Sequence, residues 1–486
     1  MSVQDRVAPL TLPEDKAASR WPPQIKYIVG NEACERFSYY GVRSLLAGYI
    51  AGQVGRGGLG MEADSATIII HTFVFVCYFM PLLGAWLSDK IIGRYHTILW
   101  VSLFYCAGHG VLACSDLAGG VHGKLICLYT GLALIAFGSG GIKPCVSAFM
   151  GDQFRPDQGH LMQKAYGAFY WSVNFGSFFG FLAIPWIKDA RGYSWAFAVP
   201  GILMALATLI FWMGTKYYTR VPPSRQTNKA GFIKVFWHAL TNRNRAAGQG
   251  FWDRARDHFS TEEVAAARSV GPILSIFALI PPFWALFDQT TSTWVLQGEK
   301  MVPYNLFGMK IGAEQMQSAN SALVMIIIPI LTLAVYPRIG RFASPLRRIS
   351  YGMFLSAISY IAVAVLQRSV EAGSQISVLW QIVPYIILTT AEVLVSITGL
   401  EFAFREAAPE MKSTIMSFWL LTIAFGNLLV AAITQLFSGS GASAHSASVS
   451  TSRFLMYAGL TFIVAILFSL VTIRYQYRDK AAALGK

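Results

Sequence analysis

Charged residues are scarce in this chain. Asp, Glu, Lys and Arg make up 13% of its 486 residues, whereas hydrophobic residues make up 54% and the mean hydropathy is +0.47. Soluble domains carry roughly 25% charged residues. The low charge therefore excludes an ordinary soluble domain and indicates a protein whose solvent is mostly lipid.

Acidic residues are fewer than basic ones, 25 against 39, which gives a formal net charge of +14. The basic residues lie in short connectors between apolar runs, without the basic face and interleaved aromatics of a nucleic-acid surface. We therefore expect a lipid bilayer, and not nucleic acid, as the large partner. The sequence indicates no obligate protein partner.

Cysteine is also sparse: the six cysteines lie in or beside apolar segments, without metal-ligand spacing or a disulfide framework. We predict free thiols, no metal and no bound cofactor. The first 20 residues contain Asp5, Glu14 and Asp15 and lack an apolar core, so we expect no signal peptide. Because no Ser/His/Asp arrangement or catalytic domain stands out, we predict that the protein is not an enzyme.

Long apolar runs, by contrast, are abundant. About twelve segments are long enough to cross roughly 30 Å of hydrocarbon at 1.5 Å per residue. They cover residues 25–52, 66–87, 95–115, 124–146, 161–186, 195–216, 271–296, 316–336, 347–367, 378–402, 413–437 and 452–475. The sequence therefore predicts an all-α polytopic membrane protein.

Basic residues are concentrated in alternate connectors, which predicts the orientation. One set of connectors carries Lys90, Arg94, Arg155, Lys164, Arg338, Arg341, Arg347 and Arg348, whereas residues 438–451, on the other side, contain no Lys or Arg. By the positive-inside rule, both termini face the cytoplasm. The composition is typical of a protein of the bacterial inner membrane.

The longest polar stretch divides the chain into two sets of six helices. We predict a cytoplasmic segment at 1–24, a bundle at 25–216, a basic linker at 217–270, a second bundle at 271–475 and a tail at 476–486. Residues 232–240 have the pattern of a short amphipathic helix on the inner surface. A plain solvated linker remains the alternative.

The first apolar segment carries four ionisable groups, which is costly in a membrane and marks a transport pathway. At about 100° per residue, Glu32, Glu35, Arg36, Tyr39 and Arg43 fall within one arc of roughly 100°, with Tyr40 at its border. One face of this helix therefore alternates charge and phenol.

Two six-helix bundles joined by a basic linker are the plan of major facilitator transporters, whose substrate site lies between the halves. Residues 84–94, Gly-Ala-Trp-Leu-Ser-Asp-Lys-Ile-Ile-Gly-Arg, resemble the cytoplasmic gating motif of that superfamily. The resemblance implies that Asp89 and Arg94 lock neighbouring helices in one gating state. A tight glycine turn with charges placed by the positive-inside rule is the alternative.

With the first helix included, the chain resembles the proton-dependent oligopeptide transporters of the POT/PTR family over nearly its whole length. The family signature ExxERFxYYG is present at residues 32–41. Further matches are Gly138-Ser-Gly-Gly-Ile-Lys143-Pro144, Gly151-Asp-Gln-Phe154, Phe169-Tyr-Trp-Ser-Val-Asn174, Phe283-Trp-Ala-Leu-Phe-Asp288-Gln289 and Glu392 with Gly399-Leu-Glu-Phe402. The implied activity is import of di- and tripeptides coupled to protons, by alternating access.

The resemblance also implies a substrate site. Arg43 and Lys143 would hold the peptide carboxylate, and Glu392, helped by Asn174 and Asn320, the α-amino group. The pocket-lining aromatic positions of the family correspond to Tyr39, Tyr40, Tyr78, Trp284 and Trp419. The alternatives are snorkelling of Lys143 to the interface, interhelical hydrogen bonds for the two asparagines and core packing for the aromatics.

Proton coupling and gating are implied for a third set of residues. Glu32, Glu35 and Arg36 form a group in which protonating one carboxylate would release the arginine. Asp288 matches the acid that pairs with the lysine at Lys143 across the halves, a bridge that would gate the extracellular side. His71 matches a histidine used for protons in animal members, although a neutral, hydrogen-bonded histidine is the alternative.

Three other functions stay open. A transporter of nitrate or another small solute on the same fold is the nearest, but a buried acid at Glu392 disfavours a bare anion. A non-transporting peptide receptor and a membrane enzyme are the others, and neither has a dedicated domain in the sequence.

Overall fold

The computed structural model describes residues 21–155, 158–223, 231–242, 250–340, 344–408, 411–438 and 448–475. The predicted tail at 476–486, and all but the last four residues of the predicted segment 1–24, lie outside the described residues.

The first half contains six long helices separated by short breaks. They are α1 Ile25–Ala51, α2 Ala63–Leu87, α3 Gly93–Ala113, α4 Gly120–Gly151, α5 Gly159–Arg191 and α6 Tyr193–Met213. Glycine permits several of the sharp turns: Gly192, at φ +82°, ends α5, and Gly93, at φ +80°, separates α3 from the π-helical turn Ser88–Ile92. Each predicted span of this half has a helix at its position.

The region between the halves contains α7 Phe232–Thr241 and α8 Thr261–Arg268. Helix α7 occupies the residues predicted to form an amphipathic helix. It buries Phe232, Val235 and Ala239, and the Phe232 ring packs edge-on against Phe418 of the second half at 5.6 Å. One apolar face of α7 is therefore covered by protein.

The second half is more interrupted. Its elements are α9 Val270–Phe277, α10 Pro281–Phe287, α11 Thr293–Gly298, β1 Tyr304–Leu306, β2 Met309–Ile311, α12 Ala313–Met316, α13 Ser318–Pro329, α14 Tyr336–Ile339, α15 Pro345–Glu371, α16 Ile382–Glu392, α17 Thr398–Glu406, α18 Lys412–Ser438 and α19 Thr451–Arg474. The two strands form an antiparallel hairpin. Short 3₁₀- or π-helical segments join several of these helices. The 3₁₀ segment Asp288–Thr291 and the π-helical segment Val393–Ile397 lie beside the site.

By length, hydropathy and charge, nine helices in the described residues are able to cross a membrane, and a bent pair, Thr261–Phe277 with Pro281–Thr291, makes a tenth. That number counts α2 and α3 as one helix, Ala63–Ala113, and leaves out α1, which carries Lys26, Glu32, Glu35, Arg36 and Arg43. With α1 included and α2 and α3 separated, the described helices account for the twelve predicted spans. The predicted all-α polytopic class is confirmed.

The halves contact each other along two seams. Within the first half, α1 packs on α5 and α6, and α2 on α4; within the second, α15 packs on α16 and α19. Between the halves, α2 packs on α18 and α5 on α13. These two seams leave a central space between α1, α2 and α5 on one side and α10, α13 and α16 on the other.

Two ends of the molecule need names. The basic end contains Asp89, Arg94 and Asp152, where the first half meets the region before α7. The opposite end contains the last turns of α1 and α5 and the β hairpin, because the Trp186 indole donates to the Lys310 carbonyl there at 2.7 Å.

Candidate functional site

A cavity of about 170 Å³ lies in the central space between the halves. Eight of the residues predicted to act in transport line it: Tyr40, Arg43, Tyr78, Asn174, Trp284, Asp288, Asn320 and Glu392. They come from both halves and from segments up to 352 residues apart in sequence, Tyr40 to Glu392. The fold therefore assembles most of the predicted substrate site in one place.

Arg43 lies at the cationic end of this cavity. Its side chain is 4% exposed, and its Nη2 donates to Asp288 Oδ1 at 3.0 Å and to Thr291 Oγ1 at 2.8 Å. Because Arg43 is on α1 and both acceptors lie between α10 and α11, this bond joins the two halves. The arginine keeps further N–H groups, and its Nε has no hydrogen-bond partner among the described residues.

Lys143, on α4, lies beside the same end but does not line the cavity. Its Nζ is 3.9 Å from the centroid of the Tyr78 ring and 5.1 Å from that of Tyr39. It has no hydrogen-bond partner in the described part of the chain. A buried ammonium group with three N–H donors and no acceptor is a ready partner for an incoming carboxylate.

The predicted ion pair between Lys143 and Asp288 is wrong for this structure. Asp288 Oδ1 accepts from Arg43, and Asp288 Oδ2 accepts from Asn427 Nδ2 at 2.7 Å. Each carboxylate oxygen therefore has a partner other than the lysine, and the lysine lies over the Tyr78 ring instead. Asp288 still bridges the halves, but through Arg43.

Glu392 forms the acidic end. It is the last residue of α16, directly before the π-helical turn Val393–Ile397, and such turns are frequent at functional sites. Its Oε2 accepts from Asn320 Nδ2 at 2.8 Å, and the same amide donates to Thr389 at 3.0 Å. Among the described residues no Lys, Arg or His forms an ion pair with Glu392, so this acid can take an external cation.

Asn174 faces the cavity from α5, yet its amide donates to the Tyr170 carbonyl one turn earlier in its own helix, at 3.0 Å. It forms no hydrogen bond to the other half within the described residues. The α5 to α13 bond is made instead by Ser177 and Ser321, whose hydroxyls are 2.8 Å apart. Sequence reasoning did not assign Tyr170 or these serines to the cavity.

Two predicted aromatic positions do not line the cavity. Tyr39 is 1% exposed; its ring packs edge-on against Tyr40 and lies tilted against Phe73. Trp419 lies behind Trp284, with ring centroids 6.3 Å apart, and also packs on Phe277. Both rings face away because their helices turn them into the core, so they support lining residues and do not form the wall.

The charged group on α1 is compact and buried. Arg36 Nε lies 2.6 Å from Glu32 Oε1 and 2.9 Å from Glu35 Oε2. One arginine therefore serves two carboxylates one helix turn from Tyr40. Protonating either acid would leave Arg36 to the other, which is the rearrangement that the sequence predicts.

His71, on α2, has partners on both ring nitrogens. Its Nδ1 is 2.7 Å from Asn427 Oδ1 on α18, and its Nε2 is 2.8 Å from Ser292 Oγ. Since Asn427 also donates to Asp288, the histidine is tied to the inter-half bridge. Asn427 was missed, although an amide inside the apolar segment 413–437 is a signal of its own.

At the basic end the predicted gating residues meet. Arg94 Nη2 is 3.5 Å from Asp89 Oδ1, and its Nη1 donates to both oxygens of Asp152 at 2.7 and 2.8 Å. Asp152 lies at the end of α4, so Arg94 connects that helix to the π-helical turn after α2. Asp152 is the closer partner of Arg94, and the sequence alone predicts no role for it.

The described residues contain no group of three or more His, Cys, Asp or Glu side chains placed to hold a metal ion. One end of the cavity contains Arg43, paired with Asp288, and Lys143 lies beside it; the other end contains Glu392, which has no cation partner among the described residues. Such an arrangement complements a small zwitterion.

Comparison with known proteins identifies the relatives. The family model described as PTR2, POT family, matches residues 95–449. Solute carrier family 15 member 1 of Oryctolagus cuniculus is 34% identical over 380 residues, which cover 72% of this chain and 53% of the relative. The chain therefore spans about half the length of the curated relatives it matches.

Solved structures give the same picture over nearly the full length. The crystal structure of an auto-inhibited POT family peptide transporter has a TM-score of 0.85 at 38% identity and covers 94% of this chain and 98% of its own. The in meso crystal structure of the POT family transporter PepTSo has a TM-score of 0.84 at 37% identity, covering 94% and 99%. The predicted major facilitator fold is thereby confirmed, and the chain belongs to the POT family.

Proposed function

We propose that this chain is a proton-coupled symporter that imports di- and tripeptides by alternating access. The observation that carries the proposal is the cavity between the halves, with Arg43 at one end and an acid free of any described cation, Glu392, at the other. A peptide zwitterion would bind with its carboxylate on Arg43 and Lys143 and its α-ammonium on Glu392. Charge-assisted bonds of this kind are roughly twice as strong as neutral ones.

Recognition by the two backbone charges suits a substrate class whose side chains vary. The charges at the two ends come from different halves, so a bound peptide would draw the halves together. Asn320 would support Glu392, and Tyr40, Tyr78 and Trp284 would form the apolar wall. The similarity to a structure named as a peptide transporter supports this choice over a bare anion such as nitrate.

Proton coupling would use the groups that exchange partners. Glu32 and Glu35 compete for Arg36, and Asp288 holds Arg43, so protonation of these acids would release a cation. The proton would be the co-transported ion, with no bound cofactor or obligate protein partner. We place the basic end in the cytoplasm of a bacterial inner-membrane protein, following the distribution of Lys and Arg.

The decisive experiment is uptake of radiolabelled dialanine by proteoliposomes with an inward proton gradient. Concentrative uptake that disappears when an ionophore collapses the gradient is the expected result. Binding without uptake would contradict transport and favour a receptor. If dialanine is neither bound nor taken up, the peptide substrate is contradicted. Nitrate uptake in the same vesicles would then be measured.

Glu35→Gln tests the proton step separately. The amide keeps the size of the side chain but not its charge, so we expect loss of gradient-driven accumulation with retention of peptide counterflow, which needs no net proton movement. Glu62→Gln, at the start of α2 and outside the cavity, is the matched control and should accumulate peptide normally. Normal accumulation by Glu35→Gln would remove Glu35 from the coupling step.

A further inference from the structure

The short hairpin at the opposite end has one apolar face. Its strands, β1 Tyr304–Leu306 and β2 Met309–Ile311, pair in antiparallel register, and side chains alternate between the two faces of such a pair. The register places four apolar side chains on one face: Tyr304, Leu306, Met309 and Ile311. The other face carries Asn305 and Lys310, which lie opposite each other. The hairpin is therefore amphipathic.

Protein leaves most of this apolar face uncovered. Tyr304, Leu306 and Met309 are between 41% and 45% exposed, and Phe307, at the tip, is 94% exposed. A second cavity, of about 600 Å³, lies at the same end and is lined by Lys310 from the polar face, whereas none of these four apolar residues lines it. The polar face is thus turned toward the second cavity and the apolar face away from it.

The tip of the hairpin has a strained backbone. Phe307 and Gly308 form the two-residue turn, with φ +50° and +82°. A turn with both central φ values positive favours asparagine followed by glycine, and a bulky residue is strained there. Phe307 is the only residue other than glycine with a positive φ in the described part of the chain. Strain of this kind persists where the surroundings compensate for it, which indicates an apolar partner for the ring.

The hairpin lies at the depth of the lipid headgroups. The Trp186 indole donates to the Lys310 carbonyl at 2.7 Å, so β2 packs against the side of α5 and not above its end. Helix α5 has 33 residues and is therefore about 50 Å long, and Trp186 lies roughly 7 Å before its last residue. With α5 centred in the bilayer, Trp186 is about 17 Å from the midplane, and the headgroup layer extends from roughly 15 to 22 Å.

The base of the hairpin adjoins a surface that faces lipid. Val302 forms backbone hydrogen bonds with Ile376 and Val378, at 2.8 and 2.9 Å, and the membrane span Val378–Glu406 begins there. Its first exposed apolar side chains follow at intervals of three residues: Trp380, Val383 and Ile386. That spacing places them on roughly one face of a helix, and tryptophan is enriched where such a face meets the headgroups. The apolar face of the hairpin continues this surface.

We propose that the hairpin tip inserts into the leaflet at the opposite end, at the boundary of headgroups and acyl chains, with Phe307 as the anchor. Tyr304, Leu306 and Met309 would contact lipid beside it. The polar face stays in water, where Lys310 lies 3.6 Å from Asp189 at the second cavity. The membrane thereby holds one wall of this cavity at a fixed depth. The anchor does not depend on which substrate is transported.

The test measures the depth of a spin label in lipid nanodiscs that contain one copy of the full-length chain. Labels at Phe307→Cys and Asn305→Cys are compared in a Cys114→Ser background, because Cys114 is the exposed native cysteine. Dissolved oxygen concentrates in lipid, whereas a nickel chelate stays in water. We expect the ratio of oxygen to nickel accessibility to be about fivefold higher at position 307 than at position 305, as for a side chain at the headgroup and acyl boundary. Ile386→Cys is the lipid-facing reference.

Phe307→Asn tests the anchor itself. Asparagine suits the left-handed turn, so the hairpin should still form, and hydrogen exchange of its amides checks this. With a label at Leu306→Cys, we expect the accessibility ratio to fall by about threefold in Phe307→Asn, because the tip loses its apolar contact with lipid. Phe307→Trp, which keeps an aromatic ring, is the matched control and should leave the ratio unchanged.

Three results would overturn the proposal. The first is an accessibility ratio typical of water at both Phe307 and Asn305, because the tip would then stand in solvent. The second is an unchanged ratio at the Leu306 label in Phe307→Asn. The third is a Phe307 label that is open to nickel in one-copy nanodiscs but shielded in nanodiscs with two copies, which would assign this face to a contact between copies of the chain.

Discussion

The two ends of the cavity carry opposite charges and satisfy them differently. At the cationic end, Arg43 is already bound to Asp288 and Thr291, each within 3.0 Å. At the acidic end, Glu392 accepts from a neutral amide, Asn320, and from no described cation. A ligand carboxylate must therefore compete with an internal acid, whereas a ligand ammonium finds its partner open.

This difference assigns separate tasks to the two ends. Competition at Arg43 loosens the bond that joins the halves, so carboxylate binding can be converted into movement. Binding at Glu392 replaces no described ion pair, so it contributes affinity and selects ligands with a free amino group. A ligand needs both charges to use both effects, and peptides that lack either one should fail in different ways.

The largest expected effect comes from removing the charge at the acidic end. Glu392→Gln keeps the side-chain length and a carbonyl oxygen that can accept from Asn320. We expect the affinity for dialanine to fall by about 2–3 kcal/mol, roughly 30- to 150-fold, because a buried ion pair with the ligand is lost. Competition for uptake, or direct binding, measures the change.

N-acetylated dialanine provides the comparison within this experiment. It has no ammonium group, so its weak binding should be the same in wild type and variant. Glu401→Gln is the matched control, since Glu401 lies further along the same span and contacts Arg348 and Arg405. An unchanged preference of Glu392→Gln for the free amino group would contradict the assignment of this end.

A smaller effect of opposite sign is expected at the cationic end. Asp288→Asn removes the acid that competes for Arg43 but keeps an oxygen for Asn427. We expect dialanine to bind about five- to tenfold more tightly at neutral pH, which corresponds to roughly 1 kcal/mol, while gradient-driven accumulation falls because the bridge no longer responds to a proton.

Thr291→Val separates competition from simple loosening of Arg43. It removes the other acceptor of the arginine and leaves the charges unchanged, so dialanine binding should tighten by less than the roughly fivefold expected for Asp288→Asn, in which a competing charge is lost. Weaker binding by Asp288→Asn would show that Asp288 positions Arg43 for the ligand, and the proposed competition would be wrong.

Hydropathy was enough to predict the helices, because each span needs about 20 apolar residues whatever its neighbours are. The interruptions were not predictable in the same way. The π-helical turn Val393–Ile397 depends on packing against other helices, because the local sequence is apolar on both sides. The bend between Phe277 and Pro281 has a local cause that the sequence does show, because Pro281 and Pro282 cannot continue the preceding helix. The hairpin Tyr304–Ile311 was missed because it is short.

The site was predictable in its residues but not in its pairing. Charged side chains stand out in a membrane segment because their burial is costly, and that signal located Glu32, Glu35, Arg36 and Arg43. Asp288 and Glu392 were assigned by their resemblance to family positions. Which acid meets which base depends on the arrangement of helices far apart in sequence. Lys143 and Asp288 are 145 residues apart, and in the structure the lysine lies over the Tyr78 ring and forms no ion pair with the acid.

His71, which connects the cationic end to α18, gives the smallest expected effect on uptake when it is replaced conservatively. Asn427 Nδ2 already donates to Asp288, so its oxygen accepts from His71 Nδ1, and the Ser292 hydroxyl can face Nε2 as donor or acceptor. The network thus fits a neutral ring that holds Asn427 in place. His71→Asn retains a donor near the Nδ1 position and should keep uptake within about threefold of wild type, whereas His71→Ala should lose about tenfold, as for one buried polar group left without its partner. If both variants lose gradient-driven accumulation but keep counterflow, the His71 ring itself carries the proton. The network at the cationic end then does more than hold Asn427 in place.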